Sequence, residues 1–336
     1  MSFYRSHRLL FSAVAALFIS LTIAIAILPA LHNQASYAPL PGAEPLSGDA
    51  LKGKAIFIAN GCVACHTQQV RNVAMDRVWG ERPSIAADYA GIGRTDLWRN
   101  TATLMGTERT GPDLTSIGSR QPSDVWHLLH LYAPRSVVPA SIMPAYPWLF
   151  VEKTETSPGD TVVNVPAPFN PEGRQVVASP EALQLVAYLL SLKQTPLPDG
   201  SAPPAFLYAA SPGNGAQAAA SGTGAGAALN GTTLYAANCQ ACHQANGEGL
   251  KGAFPPLKAS PIVTDDDPTR ILTIIMKGYT SREKEGYPAM PPIGVTNKLT
   301  PAQIHAIINH ERQSWGNQVR EVPLDEVTKI LAGIAP

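Results

Sequence analysis

Leu9 to Leu28 (LLFSAVAALFISLTIAIAIL) is a run of 20 residues without a charge, the length a helix needs to cross a bilayer. Arg5, His7 and Arg8 precede it and the first acidic residue is Glu44, so the positive-inside rule predicts a cytoplasmic N-terminus and translocation of all that follows. A cleaved signal peptide is the competing reading. The run exceeds a typical signal core, and the nearest small-residue site, Ala35 to Ala38, is followed by Pro39 and Pro41, so an uncleaved anchor over 1–31 is favoured.

After a Pro-containing tether at 32–46, Ser47 is positioned to cap a helix through Leu51, Ala55, Ile56 and Ile58, ending at Asn60-Gly61. Ser179-Pro180-Glu181 is a second capping pattern, followed by Leu183, Val186, Leu189, Leu190 and Leu192 at helical spacing. Together they bound a first domain at 47–194. Residues 195–229 turn to Pro, Gly, Ala and Ser, a composition that cannot bury enough apolar surface to fold and predicts a flexible linker. From 230 to 317 the plan recurs in shorter form: an opening helix through Leu234 and Tyr235, an Ile-rich helix near Ile271 to Met276, and a closing helix from Thr300. Residues 318–336 form a tail with a short helix from Leu324.

Composition changes this picture little: 25 basic residues balance 25 acidic ones, which gives no reason to expect a nucleic-acid partner. The 27 Gly and 31 Pro point to loop-rich domains rather than an extended bundle.

The four cysteines matter more. In an exported chain they would ordinarily suggest two disulfides, but all four fall in two copies of Cys-x-x-Cys-His, Cys62 to His66 and Cys239 to His243. That spacing lets both vinyl groups of a haem form thioethers while the adjacent imidazole reaches the iron from one face. A zinc site would want further Cys or His at finger-like spacing, which neither segment shows. The motifs therefore predict two covalently attached c-type haems, on Cys62, Cys65, Cys239 and Cys242, with His66 and His243 as metal ligands.

Each iron then needs its far-side ligand decided. In the second domain Met276 lies in the apolar helix ILTIIMKG, where core packing accounts for it. Met290 lies between prolines in Tyr287-Pro288-Ala289-Met290-Pro291-Pro292, a restricted loop that presents a thioether at small entropic cost. In the first domain Met75 follows His66 too closely and Met105 precedes the Gly-Pro loop, whereas Met143-Pro144 sits in a parallel loop. Met143 and Met290 are thus the expected ligands. His127 and His130 are the rivals, with a partly solvated helix face as their plainer reading, as for His305 and His310. Pro112 and Pro255-Pro256 lie where a backbone carbonyl could accept the Nδ1 proton of each proximal histidine, a structural turn being the alternative.

Arg109 to Leu114, Trp126 to Leu131, and above all Pro134-Arg135-Ser136-Val137-Val138-Pro139 running into Met143 to Leu149, closely resemble the monohaem second subunit of C-family (cbb-type) haem–copper oxidases over about 55–150. The resemblance implies a mainly α chain, with an N-terminal transmembrane helix and class I cytochrome c-like domains. It implies that Cys62, Cys65, His66 and Met143 hold a haem that passes electrons to a catalytic haem–copper oxidase subunit. The stretch after Gln69 departs from that family, and the usual subunit has no appended second cytochrome. Residues 230–317 are similar to small class I cytochrome domains through Gly252 to Leu257 and Met290, so the chain resembles a fusion. Its second domain would then accept electrons from a cytochrome or quinol-oxidising complex, with both haem domains in the periplasm of a bacterial inner membrane.

Three function classes compete: a non-catalytic electron-transfer subunit of a terminal oxidase, a free-standing membrane cytochrome shuttle, and an enzyme such as a dihaem peroxidase. A nitric oxide reductase assembly is a relative of the first. A peroxidase needs an exchangeable sixth position, and two Pro-bracketed methionines argue that both irons are closed.

Overall fold

The computed structural model describes residues 6–36, 39–92, 104–106, 108–207, 229–280, 287 and 289–334. Arg5, Pro288 and residues 208–228 of the expected linker lie outside them.

Helix α1 (His7–Leu21) runs through a π-helical stretch, Thr22–Ile27, into α2 (Leu28–Ser36). Within it His7–His32 is long and apolar enough to cross a membrane by length and composition, and Phe11, Phe18 and Ile25 are each at least 70 % exposed.

The first helical unit opens with α3 (Gly48–Ala59) and closes with α7 (Pro180–Ser191). Both caps act as the pattern predicts: Ser47 Oγ accepts from Ala50 N at 3.1 Å, and Ser179 Oγ from Ala182 N at 3.2 Å. The two helices cross at Gly53, where a Cβ would lie 1.9 Å from the Gln184 carbonyl oxygen, so only glycine permits the approach. Phe57 packs edge-on to Tyr188 beside this crossing, with centroids 5.6 Å apart. Between them lie α4 (Ile117–Arg120), α5 (Asp124–Tyr132) and α6 (Pro134–Val137). A three-stranded antiparallel sheet also intervenes, made of β1 (Phe150–Lys153), β2 (Val162–Val163) and β3 (Gln175–Ala178) in the order β1-β3-β2. It pairs Phe150 with Ala178 and Val162 with Val177. The sequence pattern does not announce this sheet, because two of its strands are four residues long and one is two.

The second unit repeats the plan. Helix α8 (Gly231–Asn238) leads into α9 (Gln240–His243), then α10 (Thr269–Lys277), α11 (Ile293–Thr296) and the closing α12 (Pro301–Gln313). Thr300 and Gln303 form a capping box at the start of α12. Here too a glycine sits at the crossing of first and last helices: a Cβ on Gly231 would be 2.2 Å from the Ala306 carbonyl oxygen. Ile271, Leu272, Ile275, Ile304 and Ile308 form its core, joined by Val322 and Val327 from the C-terminal segment and α13 (Leu324–Gly333). Asn309 clamps this segment through both directions of its amide, to Val322 O at 3.0 Å and from Val322 N at 2.8 Å. The expected tail is therefore part of the second unit's packing from Val322 onward.

Of the residues expected to form the linker, 195–207 run along the first unit. Leu207 bridges Val73 in parallel, Ala74 N donates to Leu207 O at 3.1 Å, and Arg82 Nη2 donates to Thr195 O at 3.1 Å.

Candidate functional site

The first Cys-x-x-Cys-His begins where Gly61, at φ +69°, ends α3 and turns the chain into a short 3-10 turn over Cys62–Ala64. His66 N donates to Cys62 O at 3.0 Å, and His66 Nδ1 donates to Pro112 O at 2.8 Å. With Nδ1 occupied, Nε2 is the nitrogen left to coordinate. Gly111 makes the arrangement possible, since a Cβ there would lie 2.3 Å from His66 Cε1.

A buried acidic pair holds the Gly111-Pro112 loop against the motif. Asp113 accepts from Thr67 Oγ1 at 2.5 Å, Gln69 N at 2.8 Å and Thr115 N at 2.8 Å. Arg109 bridges onward, donating to Thr67 Oγ1, to Gln69 O and to buried Asp76, which also receives Arg71. Burial alone would raise the Asp76 carboxyl, but bonds from Arg109 and Arg71 outweigh it and hold it below the usual carboxylate range. Two backbone bonds finish the lock, Gly111 N to Cys65 O at 2.9 Å and Leu114 N to Thr67 O at 2.8 Å. The imidazole is thus oriented by a preset frame. Burial, first of all, pushes the His66 pKa down and favours the neutral imidazole.

Met143 follows α6 in a loop tied by Tyr146 N to Leu131 O at 2.9 Å and by Trp148 Nε1 to Asn60 Oδ1 at 2.9 Å. Half-buried against the core, it lines one cavity of ≈ 1240 Å³ together with Cys62, Cys65 and His66. Two thiols, a preoriented imidazole and a thioether on one cavity are the donor set that a c-type haem requires. Among the described residues no group of three or more His, Cys, Asp or Glu could hold a metal ion, and the four cysteines are unbridged.

Part of the cavity wall belongs to the second unit, through Leu234, Ala237, Asn238 and Ala241. Cys242 Sγ lies 3.9 Å from Gln121 Oε1, and Ala253 and Phe254 join the first unit's apolar core.

The second motif repeats the geometry of the first. His243 Nδ1 donates to Pro255 O at 2.9 Å, and burial pushes its pKa down. Gly249 N donates to His243 O at 3.0 Å, and Gly249, at φ +65°, leaves room for Phe254 O and Pro255 O. Met290 is half-buried and held by a two-way backbone bridge to Tyr279, with N to O distances of 2.8 and 2.9 Å. Cys239, His243 and Met290 are not among the residues lining the ≈ 1240 Å³ cavity. Met276 packs instead against the second core, with its sulfur beside Gly294.

The rival histidines do not form a solvated face. His127 is 3 % exposed and its Nε2 donates to Gln121 O at 2.8 Å. Burial depresses its pKa to about 4. His130 stacks on Trp126 and lines the cavity, with its pKa also depressed to about 4, first by burial. The i, i+3 spacing could not reveal this, because both sides of α5 are covered by other elements. His310 bonds Ser314 Oγ at 3.1 Å and contacts both the Tyr235 and Trp315 rings, which also touch each other.

Two participants were not singled out by the sequence. Asp113 anchors the proximal loop, and its place directly after Gly111-Pro112 is the available signal. Glu311, on α12, is buried beside Cys239, and burial raises its carboxyl pKa to about 8. Nothing local marks it.

Residues 2–192 match the family described as "Cytochrome C oxidase, mono-heme subunit/FixO", and residues 228–315 match the cytochrome c family. The cytochrome c subunit of the quinone alcohol dehydrogenase of Gluconobacter oxydans (strain 621H) is 32 % identical over 107 residues, 31 % of this chain and 22 % of that subunit. The fructose dehydrogenase cytochrome subunit of Gluconobacter japonicus is 31 % identical over 104 residues, 30 % of this chain and 21 % of that one. Cytochrome c-552 of Thermus thermophilus is 29 % identical over 85 residues, 24 % of this chain and 65 % of that one. The chain thus spans about a fifth of the length of the dehydrogenase subunits it matches. Because the first match takes in more than half of its residues, the chain belongs to the FixO family of mono-haem cytochrome c oxidase subunits and, with a cytochrome c domain behind, is an electron-transfer subunit with covalently bound c-type haem.

Proposed function

We propose that this chain is the dihaem, membrane-anchored electron-transfer subunit of a cbb-type oxidase, taking electrons from a cytochrome or quinol-oxidising complex and handing them to the catalytic haem–copper subunit. In this reading 1–31 anchor the chain in a bacterial inner membrane and 32–46 tether the first cytochrome domain, 47–194. Residues 195–229 link it to the second cytochrome domain, 230–317, and both domains lie in the periplasm. Cys62, Cys65, His66 and Met143 hold one haem; Cys239, Cys242, His243 and Met290 hold the other.

The observation that carries the reading is the repeated proximal geometry. In each unit a Cys-x-x-Cys-His imidazole donates from Nδ1 to a proline carbonyl, at 2.8 Å to Pro112 and 2.9 Å to Pro255. Such a bond fixes ring orientation and raises the basicity of the coordinating nitrogen. When bound, c-type haem supplies one-electron exchange at its iron. The protein's part is to close that iron with a thioether, bury its surroundings and fix its distance from partners. The oxidase assignment draws support from the family match over 2–192 and from the exposed apolar span of His7–His32. The dehydrogenase-subunit relatives favour a second reading, in which the partner is a quinone-linked dehydrogenase.

Purification in mild detergent, followed by identification of the other subunits and haem types, decides between them. A many-helix partner bearing a high-spin haem and copper supports the oxidase; a flavin- or quinone-bearing dehydrogenase partner favours the second; a chain without partners sinks both. Pyridine haemochrome spectra should count two c-type haems per chain.

A further inference from the structure

The second unit makes side-chain contacts on the first at two separate places. Its Cys242 Sγ lies 3.9 Å from Gln121 Oε1, and a Cβ on Gly252 would stand 3.9 Å from the Cβ of Asn164, the residue after β2. Ala253 and Phe254 are buried in the first unit's apolar cluster, and Ala241, Cys242 and Leu250 pack against it. Ala237 and Ala241, four residues apart, and Thr296 to Leu299 line the same cavity as Cys62, Cys65, His66 and Met143.

The chemistry of this face suits close docking. Ala237, Ala241, Gly252 and Ala253 carry at most a methyl group, so the backbones can approach and burial costs almost no side-chain entropy. Of the second-unit residues that line the cavity, Lys298 alone is charged, so little charge is desolvated. The connection is also short. Ala74 N holds Leu207 O on the first unit, which leaves the 21 residues 208–228 to join the two units. A tether of that length keeps a domain at a local concentration of roughly 1 mM, so an interface with a Kd of about 0.1 mM is closed about nine-tenths of the time. A small contact then suffices.

We propose that the second unit is docked on the first, with Cys242 and Gly252 set against Gln121 and Asn164, as a fixed electron bridge rather than a swinging carrier. This deepens the electron-transfer reading and rests on both Cys-x-x-Cys-His sites holding haem. Cys242 is an attachment point of the second haem, and Gln121 lines the cavity of the first, so one side-chain contact links the two sites. Across this interface one electron passes from ferrous to ferric iron, with no bond made or broken and no proton moved.

Pulsed dipolar electron paramagnetic resonance of the oxidised, detergent-solubilised full chain tests the docking, with covalent haem counted in each sample. The unmodified chain should give one narrow distribution of iron-to-iron distances. Asn164→Trp, at an exposed position facing Gly252, should lengthen and broaden it. Ala241→Arg drives a long cation into the shared wall; it should do the same and serves where Asn164→Trp does not accumulate. Flash-initiated electron transfer between the haems should be first-order and independent of both protein concentration and added viscogen. An interface weakened a hundredfold would lower the closed fraction, and the rate with it, by about tenfold. A broad distance distribution in the unmodified chain overturns the proposal, and so does a rate that falls with viscosity. Distances and rates unchanged in every variant that accumulates overturn it as well. Fewer than two haems in the unmodified chain overturns the two-haem reading beneath it, separately from these outcomes.

Discussion

Acid should destabilise the first unit through His127. The residue is 3 % exposed, with Nε2 donating to Gln121 O at 2.8 Å, and it lies among Asp124, Arg120 and His130. Burial, partly opposed by the Gln121 bond, lowers its pKa from 6.5 to about 4 in the folded state. The unfolded chain therefore binds the proton first as pH falls. The contribution to stability is complete above pH 6.5, declines below it, and is lost once pH passes about 4. At about 1.4 kcal/mol per pKa unit the interval is worth about 3 kcal/mol, a large share of the stability of a small domain. The assay is denaturant unfolding of the detergent-solubilised protein, followed by far-UV circular dichroism between pH 7 and 4.5. His127→Gln keeps an amide donor for the Gln121 carbonyl and cannot titrate. It should cost stability at pH 7, and its disadvantage should shrink by about 2–3 kcal/mol by pH 4.5. Parallel pH profiles for the two proteins would refute the claim that His127 is buried neutral.

Met143→His and Met290→His should each lower one haem potential by tenths of a volt, within the roughly 0.8 V that axial ligands span; redox titration reads both, and an unmoved potential removes that ligand from the assignment. Gly53→Ala and Gly231→Ala force a Cβ to within 1.9 and 2.2 Å of a facing carbonyl oxygen, so each should lower stability by about 1–3 kcal/mol, seen as a reduced unfolding midpoint. Truncation after Gln194 should leave an assembled oxidase-like complex that oxidises its natural donor slowly and small artificial reductants well. A full rate with the natural donor would end the electron-accepting role of the second unit, and failure to assemble would make that unit structural.

Local chemistry was legible in the sequence because it is written within a few residues. The two Cys-x-x-Cys-His motifs and the caps at Ser47 and Ser179 each depend on spacing or on one turn of chain. The family likeness was legible for the same reason, since it rests on contiguous strings such as Pro134 to Leu149.

Tertiary structure alone decided what depends on contacts between distant segments. Gly53 and Gly111 look like ordinary glycines until Gln184 and His66 arrive opposite them. His127 reads as a surface residue until other elements cover both sides of α5, and the tail reads as an appendage until Val322 and Val327 enter the second core. The two attachment motifs follow from residue order, whereas burial and the close approach of distant segments follow from packing, which a linear pattern does not contain.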